Sequence, residues 1–130
     1  LGQSSGLAIG MFELPVRDTA RQSERLFVPG SILRLTLDPA HPLAFGIPDE
    51  TTAFFAFSSV FAAASAAGPN APYADPSPAA GIRTVGRYAT KDLLVSGWLE
   101  GEPLIAGRAA ILEAPLGSGR VVLFGFPVQH

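Results

Sequence analysis

Apolar positions are densest between Leu104 and Phe126, where Ala109–Leu112 and Val121–Phe124 flank Pro115-Leu116-Gly117-Ser118-Gly119. Two apolar runs joined by a glycine turn predict a β-hairpin. The second run is apolar at odd and even positions alike, so both its faces need cover. That pattern places it in the middle of a sheet layered with helices rather than on an edge. Upstream, Leu33, Leu35 and Leu37 alternate with Ile32, Arg34 and Thr36, and this period of two predicts a half-buried strand over 31–37. The aromatic run Ala53–Phe57 predicts another strand, as does the alternation from Ile82 to Tyr88. Leu93–Leu99 adds a short apolar segment ending in a turn, whereas Phe61–Ala67 fits a helix, a strand end or a loop. The start of the chain predicts a helix, with a serine N-cap before Leu7, Met11 and Leu14 on one face and Pro15 as its stop. Gly6 and Gly10 weaken it, so its stability must come from docking on the sheet.

Between these elements, Asp38–Pro48 holds three prolines and a glycine and predicts a rigid, irregular, non-helical connection. Residues 66–81 are dominated by Ala, Pro, Gly and Ser, too little apolar bulk to offset the cost of ordering a backbone, and predict a flexible insertion. Arg17–Arg25 mixes both charges and reads as a solvated segment. Together the pattern predicts one α/β domain over residues 1–130, layered and strand-rich, ending in a buried hairpin. A last strand buried on both faces calls for a covering helix, and the sequence stops at His130. The expectation is therefore an incomplete domain, a fragment with an exposed apolar sheet face that self-associates.

Composition narrows the function. A chain of 130 residues that is 48% apolar can bury a core without staples. The net charge of −2 and the lack of a dense basic cluster leave nothing to neutralise a phosphate backbone, so nucleic acid is excluded as a partner. With no cysteine, disulfides, thiolate metal sites and a cysteine nucleophile are excluded. No apolar run reaches the roughly 20 residues of a membrane span, and nothing in the chain assigns a compartment. Eight arginines against the single Lys91, with abundant Ala, Gly and Pro, fit a GC-rich bacterial genome.

Three stretches carry a resemblance: ELPVRD (13–18), VPGSILRLTLDPAHPLAFGIP (28–48) and LLVSGWLEGEPLIAGRAAILEAPLGSGRVVLFGFPVQH (93–130). Read in order, with PGS, HPLAFG, SGW and GSGRVVLFGF as their most specific parts, they resemble the carboxy-terminal region of bacterial zinc carboxypeptidases of the carboxypeptidase A type. There a domain similar to class I glutamine amidotransferases, with a flavodoxin-like fold, follows the peptidase domain. The resemblance implies a partial amidotransferase-like sheet, the second half of such an accessory domain, with no catalytic role of its own. It further implies a parent that hydrolyses peptides with zinc in its own peptidase domain, is secreted or periplasmic, and is this domain's partner. The alternative is a binding module for a small ligand or a cell-envelope component, without enzymatic activity.

A carboxypeptidase zinc site needs His-x-x-Glu and a later His, but His41 and His130 are the only histidines and neither has Glu three residues on. No catalytic residue, metal ligand or cofactor is therefore expected within this chain. Amidotransferase chemistry lacks its Cys and its His-x-Glu. Ser96 and Ser118 lie outside Gly-x-Ser-x-Gly, and Gly117-Ser118-Gly119 precedes a strand, not the helix that a phosphate loop requires. The polar group kept for binding is Asp38 with His41, near Arg34, on a turn after a strand. Its plain reading is an aspartate capping turn amides and a histidine bonded to nearby backbone. Trp98 is the other candidate, as a contact for a second domain.

Overall fold

A computed structural model describes residues 4–20, 23–64, 71–77 and 79–128. In chain order these form helix α1 (Ser4–Met11) and strands β1 (Val16–Asp18), β2 (Ser31–Leu37), β3 (Glu50–Phe55), β4 (Phe61–Ala63), β5 (Arg83–Tyr88), β6 (Leu94–Ser96), β7 (Ala109–Leu116) and β8 (Gly119–Phe124). The strands make one sheet in the order β1-β4-β7-β5-β2-β3, with β6 alongside β2 and β8 alongside β7. Its strand pairings are antiparallel. The class is thus mixed α/β, mostly sheet with one helix among the described residues. The flavodoxin-like layering implied by the resemblance is not seen in these pairings, since its neighbouring strands run parallel between helices.

The hairpin forms where the glycine turn puts it. Leu116 pairs with Gly119 across Gly117-Ser118, and Gly117 takes φ 58°, a left-handed conformation that glycine adopts without a Cβ penalty. The expectation that its second arm is central is corrected. β7 pairs β5 on one edge and β4 and β8 on the other, and its first four residues are all buried. Among the described residues β8 pairs only with β7, which makes it an edge strand, and only Leu123 of its six residues is buried. Its apolar character on both faces has a different cause. Val121 and Leu123 pack toward α1, while Val122 packs on the larger core.

That larger core gathers Leu33, Leu35 and Leu37 of β2 with Phe55, Val60, Val85, Tyr88, Leu93 and Ile105, realising the alternation read from β2. Each fully buried large side chain contributes roughly 1.5–3 kcal/mol. A smaller core holds Leu14, Val16, Phe61, Ile82, Leu112 and Leu123. Phe61, whose local pattern fits a helix, a strand end or a loop, begins β4 and is fully buried.

The helix docks on a different face from the one its leucines outline. Leu7 and Met11 are each 65% exposed. Ser5 is buried, its hydroxyl donating to the Phe124 carbonyl at 2.9 Å, while Ala8 and Ile9 pack on the smaller core. Positions 5, 8 and 9 share a helix face, and the small Ser5 and Ala8 let the backbone approach closely. The stretch Asp38–Pro48 contains one 3₁₀ turn, Pro42–Ala44.

Part of the insertion expected at 66–81 lies outside the described residues, at 66–70 and 78. The described part is anchored. Pro76 is fully buried, Arg17 donates to the Ala71 and Pro72 carbonyls, Arg87 pairs with Asp75 at 2.6 Å, and the Tyr73 hydroxyl accepts the Ala109 N–H. Arginine donors from the sheet replace the apolar bulk that this segment lacks. The same contacts correct the reading of Arg17 as part of a solvated segment, since it lies on β1 with its guanidinium facing this strap.

Candidate functional site

The turn after β2 begins with Asp38, whose N–H donates to the Val85 carbonyl and whose carboxylate accepts the Ala40 N–H at 3.0 Å. The Asp38 carbonyl in turn accepts the His41 N–H at 3.0 Å. This is the Asx turn expected ahead of a proline. His41 then stands as N-cap of the Pro42–Ala44 turn. Pro42 has no N–H, so the first orphan donor is that of Leu43, and it donates to His41 Nδ1 at 3.2 Å. An occupied Nδ1 acceptor assigns the ring hydrogen to Nε2. Nε2 meets the Oε2 of Glu113 on β7, whose Oε1 accepts from Arg120 Nη1 on β8 at 3.0 Å.

The His41 side chain is 2% exposed and that of Glu113 12%. The His41 hydrogen bond holds the Glu113 carboxyl below the ordinary carboxylate range, with Arg120 adding to the effect and burial opposing it. Both His41 nitrogens are thus committed within the protein. A general base needs a nitrogen within reach of a substrate proton; this ring ties the turn to β7.

The other expected partners disperse. Arg34 pairs with Glu50 at 2.7 Å and donates from Nε to the Asp92 carbonyl, so Asp38, His41 and Arg34 do not converge on one ligand. Trp98 is 59% exposed, its backbone held by the Ser31 hydroxyl and its indole N–H donating to Glu100 at 3.2 Å. His130 lies outside the described residues. Glu113 was missed by sequence reasoning, although a carboxylate inside the apolar run Ala109–Leu116 was its signal. Among the described residues no group of three His, Cys, Asp or Glu side chains is placed to hold a metal ion. No described helix is long and apolar enough to cross a membrane.

No known protein family, curated protein or solved structure matches the chain.

Two concave features are apolar, and neither is lined by Asp38, His41 or Trp98. A cavity of about 470 Å³ is bounded on one side by Ile32, Thr51 and Phe54 and on the other by Ile111, Phe124 and Val128. β3 and β8 sit toward opposite ends of the strand order, so the sheet must curl to bring them around one space. Ile32, Ile47, Phe54, Phe124 and Val128 around it are between 38% and 60% exposed. A second cavity, about 560 Å³, lies among Leu26, Phe27, Val28, Phe55 and Phe57.

Proposed function

We propose that this chain is a non-catalytic accessory domain that works by packing against another folded unit. The resemblance assigns that unit as the peptidase domain of a secreted or periplasmic zinc carboxypeptidase-like protein. The reading rests on the apolar rim of the curled sheet, formed by Ile32, Ile47, Phe54, Phe124 and Val128 around one cavity. Contiguous exposed apolar surface rimmed by polar residues marks interaction sites. The internal commitment of His41 supports a structural role for the one described histidine, and the exposed Trp98 offers a further anchor of the kind that dominates interfaces. In this reading peptide hydrolysis, and the zinc it uses, belong to the partner domain. The amidotransferase-like kinship is part of the proposal, with these strands as the antiparallel portion of a mixed sheet.

The test uses the purified chain with zinc. Release of carboxy-terminal amino acids and bound metal are measured, together with apolar-dye binding and sedimentation. No turnover is expected, with dye binding and self-association that both fall in the double variant Ile47→Ser, Phe124→Ser. Stoichiometric zinc with turnover, or a dye-silent monomer, sinks the reading. The cavity also favours a second reading, a site for a small ligand, because its volume lies in the range of such sites and Thr51 and Thr52 add hydroxyls to an apolar lining. Uniformly null thermal shifts against sugars, nucleotides and amino acids would remove that reading.

A further inference from the structure

Arg108, immediately before β7, places its guanidinium carbon 4.5 Å from the centroid of the Tyr73 ring. The ring is fixed, because its hydroxyl accepts the Ala109 N–H at 3.1 Å. Arg17 reaches the same stretch of chain from β1, with Nη2 2.8 Å from the Ala71 carbonyl oxygen and 3.3 Å from that of Pro72, and Nε 3.3 Å from that of Ala63. Two guanidinium groups therefore converge on residues 71–73. A third arginine, Arg87, is matched by Asp75 at 2.6 Å, which occupies the one carboxylate of the strap.

Nothing comparable matches Arg108. Among the described residues no oxygen accepts from its guanidinium, and Ser65–Asn70 contains no acidic residue. Partial burial and the Arg17 charge both pull its pKa down, against the raising effect of Tyr73. The fold thus holds a planar donor fork flat against an aromatic face, next to a like charge, with no described oxygen accepting from the fork itself. Such a fork suits bidentate recognition of an oxyanion.

We propose that Arg108, stacked on Tyr73 and flanked by Arg17, anchors a binding site for the phosphate or carboxylate group of a small ligand. Stacking fixes the plane of the fork before the ligand arrives, and the positive charge of Arg17 lies beside it. The site goes beyond the accessory-domain reading and does not depend on it.

Titrations with sodium phosphate and, separately, sodium acetate at constant ionic strength test it, followed by amide and arginine side-chain nuclear magnetic resonance of the whole chain. At least one of the two anions is expected to give saturable shifts at Tyr73, Ala109 and the Arg108 Nε–H, and the tighter one identifies the ligand class. Loss of charge-assisted hydrogen bonds should weaken binding roughly tenfold or more in Arg108→Gln. Arg108→Lys keeps the charge but lacks the fork, and should bind severalfold more weakly than the wild type. Arg83→Gln, at the opposite end of β5, should bind as the wild type does. Shifts that stay linear for both anions, or that saturate alike in the wild type and both Arg108 variants, overturn the proposal.

Discussion

Replacing His41 by alanine removes two hydrogen bonds at once and leaves a mostly buried carboxylate without one of its donors. The Leu43 N–H loses its acceptor at Nδ1, and loss of such a cap costs about 1 kcal/mol. Glu113 loses the donor at Nε2, and a hydrogen bond to a charged group contributes about 1.5–3 kcal/mol. Arg120 stays on the other carboxylate oxygen, so the loss remains within these two contributions, together about 2.5–4 kcal/mol. Against a net stability of about 5–15 kcal/mol this is a large fraction, and a urea midpoint should fall by roughly 1 M or more. The acid limb supplies an independent reading. Because the folded-state pKa of Glu113 is lowered, the stability it contributes is fully present above the ordinary carboxylate pKa and is lost as pH falls through the folded value. His41 is the largest cause of that lowering, so the acid loss should be smaller in His41→Ala than in the wild type. The effects of His41→Ala and Glu113→Gln should also be non-additive, as for groups in one network. A His41→Ala protein within about 0.5 kcal/mol of the wild type, with an unchanged acid limb and additive behaviour, would refute the structural role.

Two further substitutions probe the same core. A Cβ added at Gly125 would collide with the Ser59 carbonyl and come within 3.0 Å of both the Ala110 carbonyl oxygen and the Tyr88 hydroxyl; Gly125→Ala should therefore lower the thermal midpoint by several degrees, and an unchanged midpoint would show that this crossing yields freely. Tyr88 is fully buried with its hydroxyl donating to the Ser59 carbonyl at 2.8 Å, and burial holds its pKa well above the usual 10.0. The linked stability is full below the unfolded-state pKa and is lost as pH rises above about 10 toward the folded value. Tyr88→Phe should cost about 1–2 kcal/mol at neutral pH and show less alkaline destabilisation, and an alkaline limb unchanged in the variant would contradict the assignment.

Local pattern carried part of the fold. The alternation of Leu33, Leu35 and Leu37 and the glycine turn at Gly117 were legible because strand geometry and turn conformation act within a few residues. Whether β8 is central or at an edge was not, because periodicity reports which faces are apolar and not how many neighbours a strand has. The docking face of α1 was hidden for a related reason. Leu7, Met11 and Leu14 outline one face and Ser5, Ala8 and Ile9 another, and the choice depends on the Phe124 carbonyl, 119 residues away from Ser5. His41 and Asp38 were visible as polar residues in a proline-rich turn, and Asp38 plays its local part. The partner of His41 lies 72 residues on, beyond any spacing rule. Tyr73 and Arg108, 35 positions apart in the chain, meet because residues 71–77 fold back over the start of β7. By itself, the sequence determined which chemistries the chain lacks residues for and where most strands begin and turn, since composition and backbone sterics are local properties. The tertiary structure alone decided which side chains meet, because non-local strand pairing brings distant residues together.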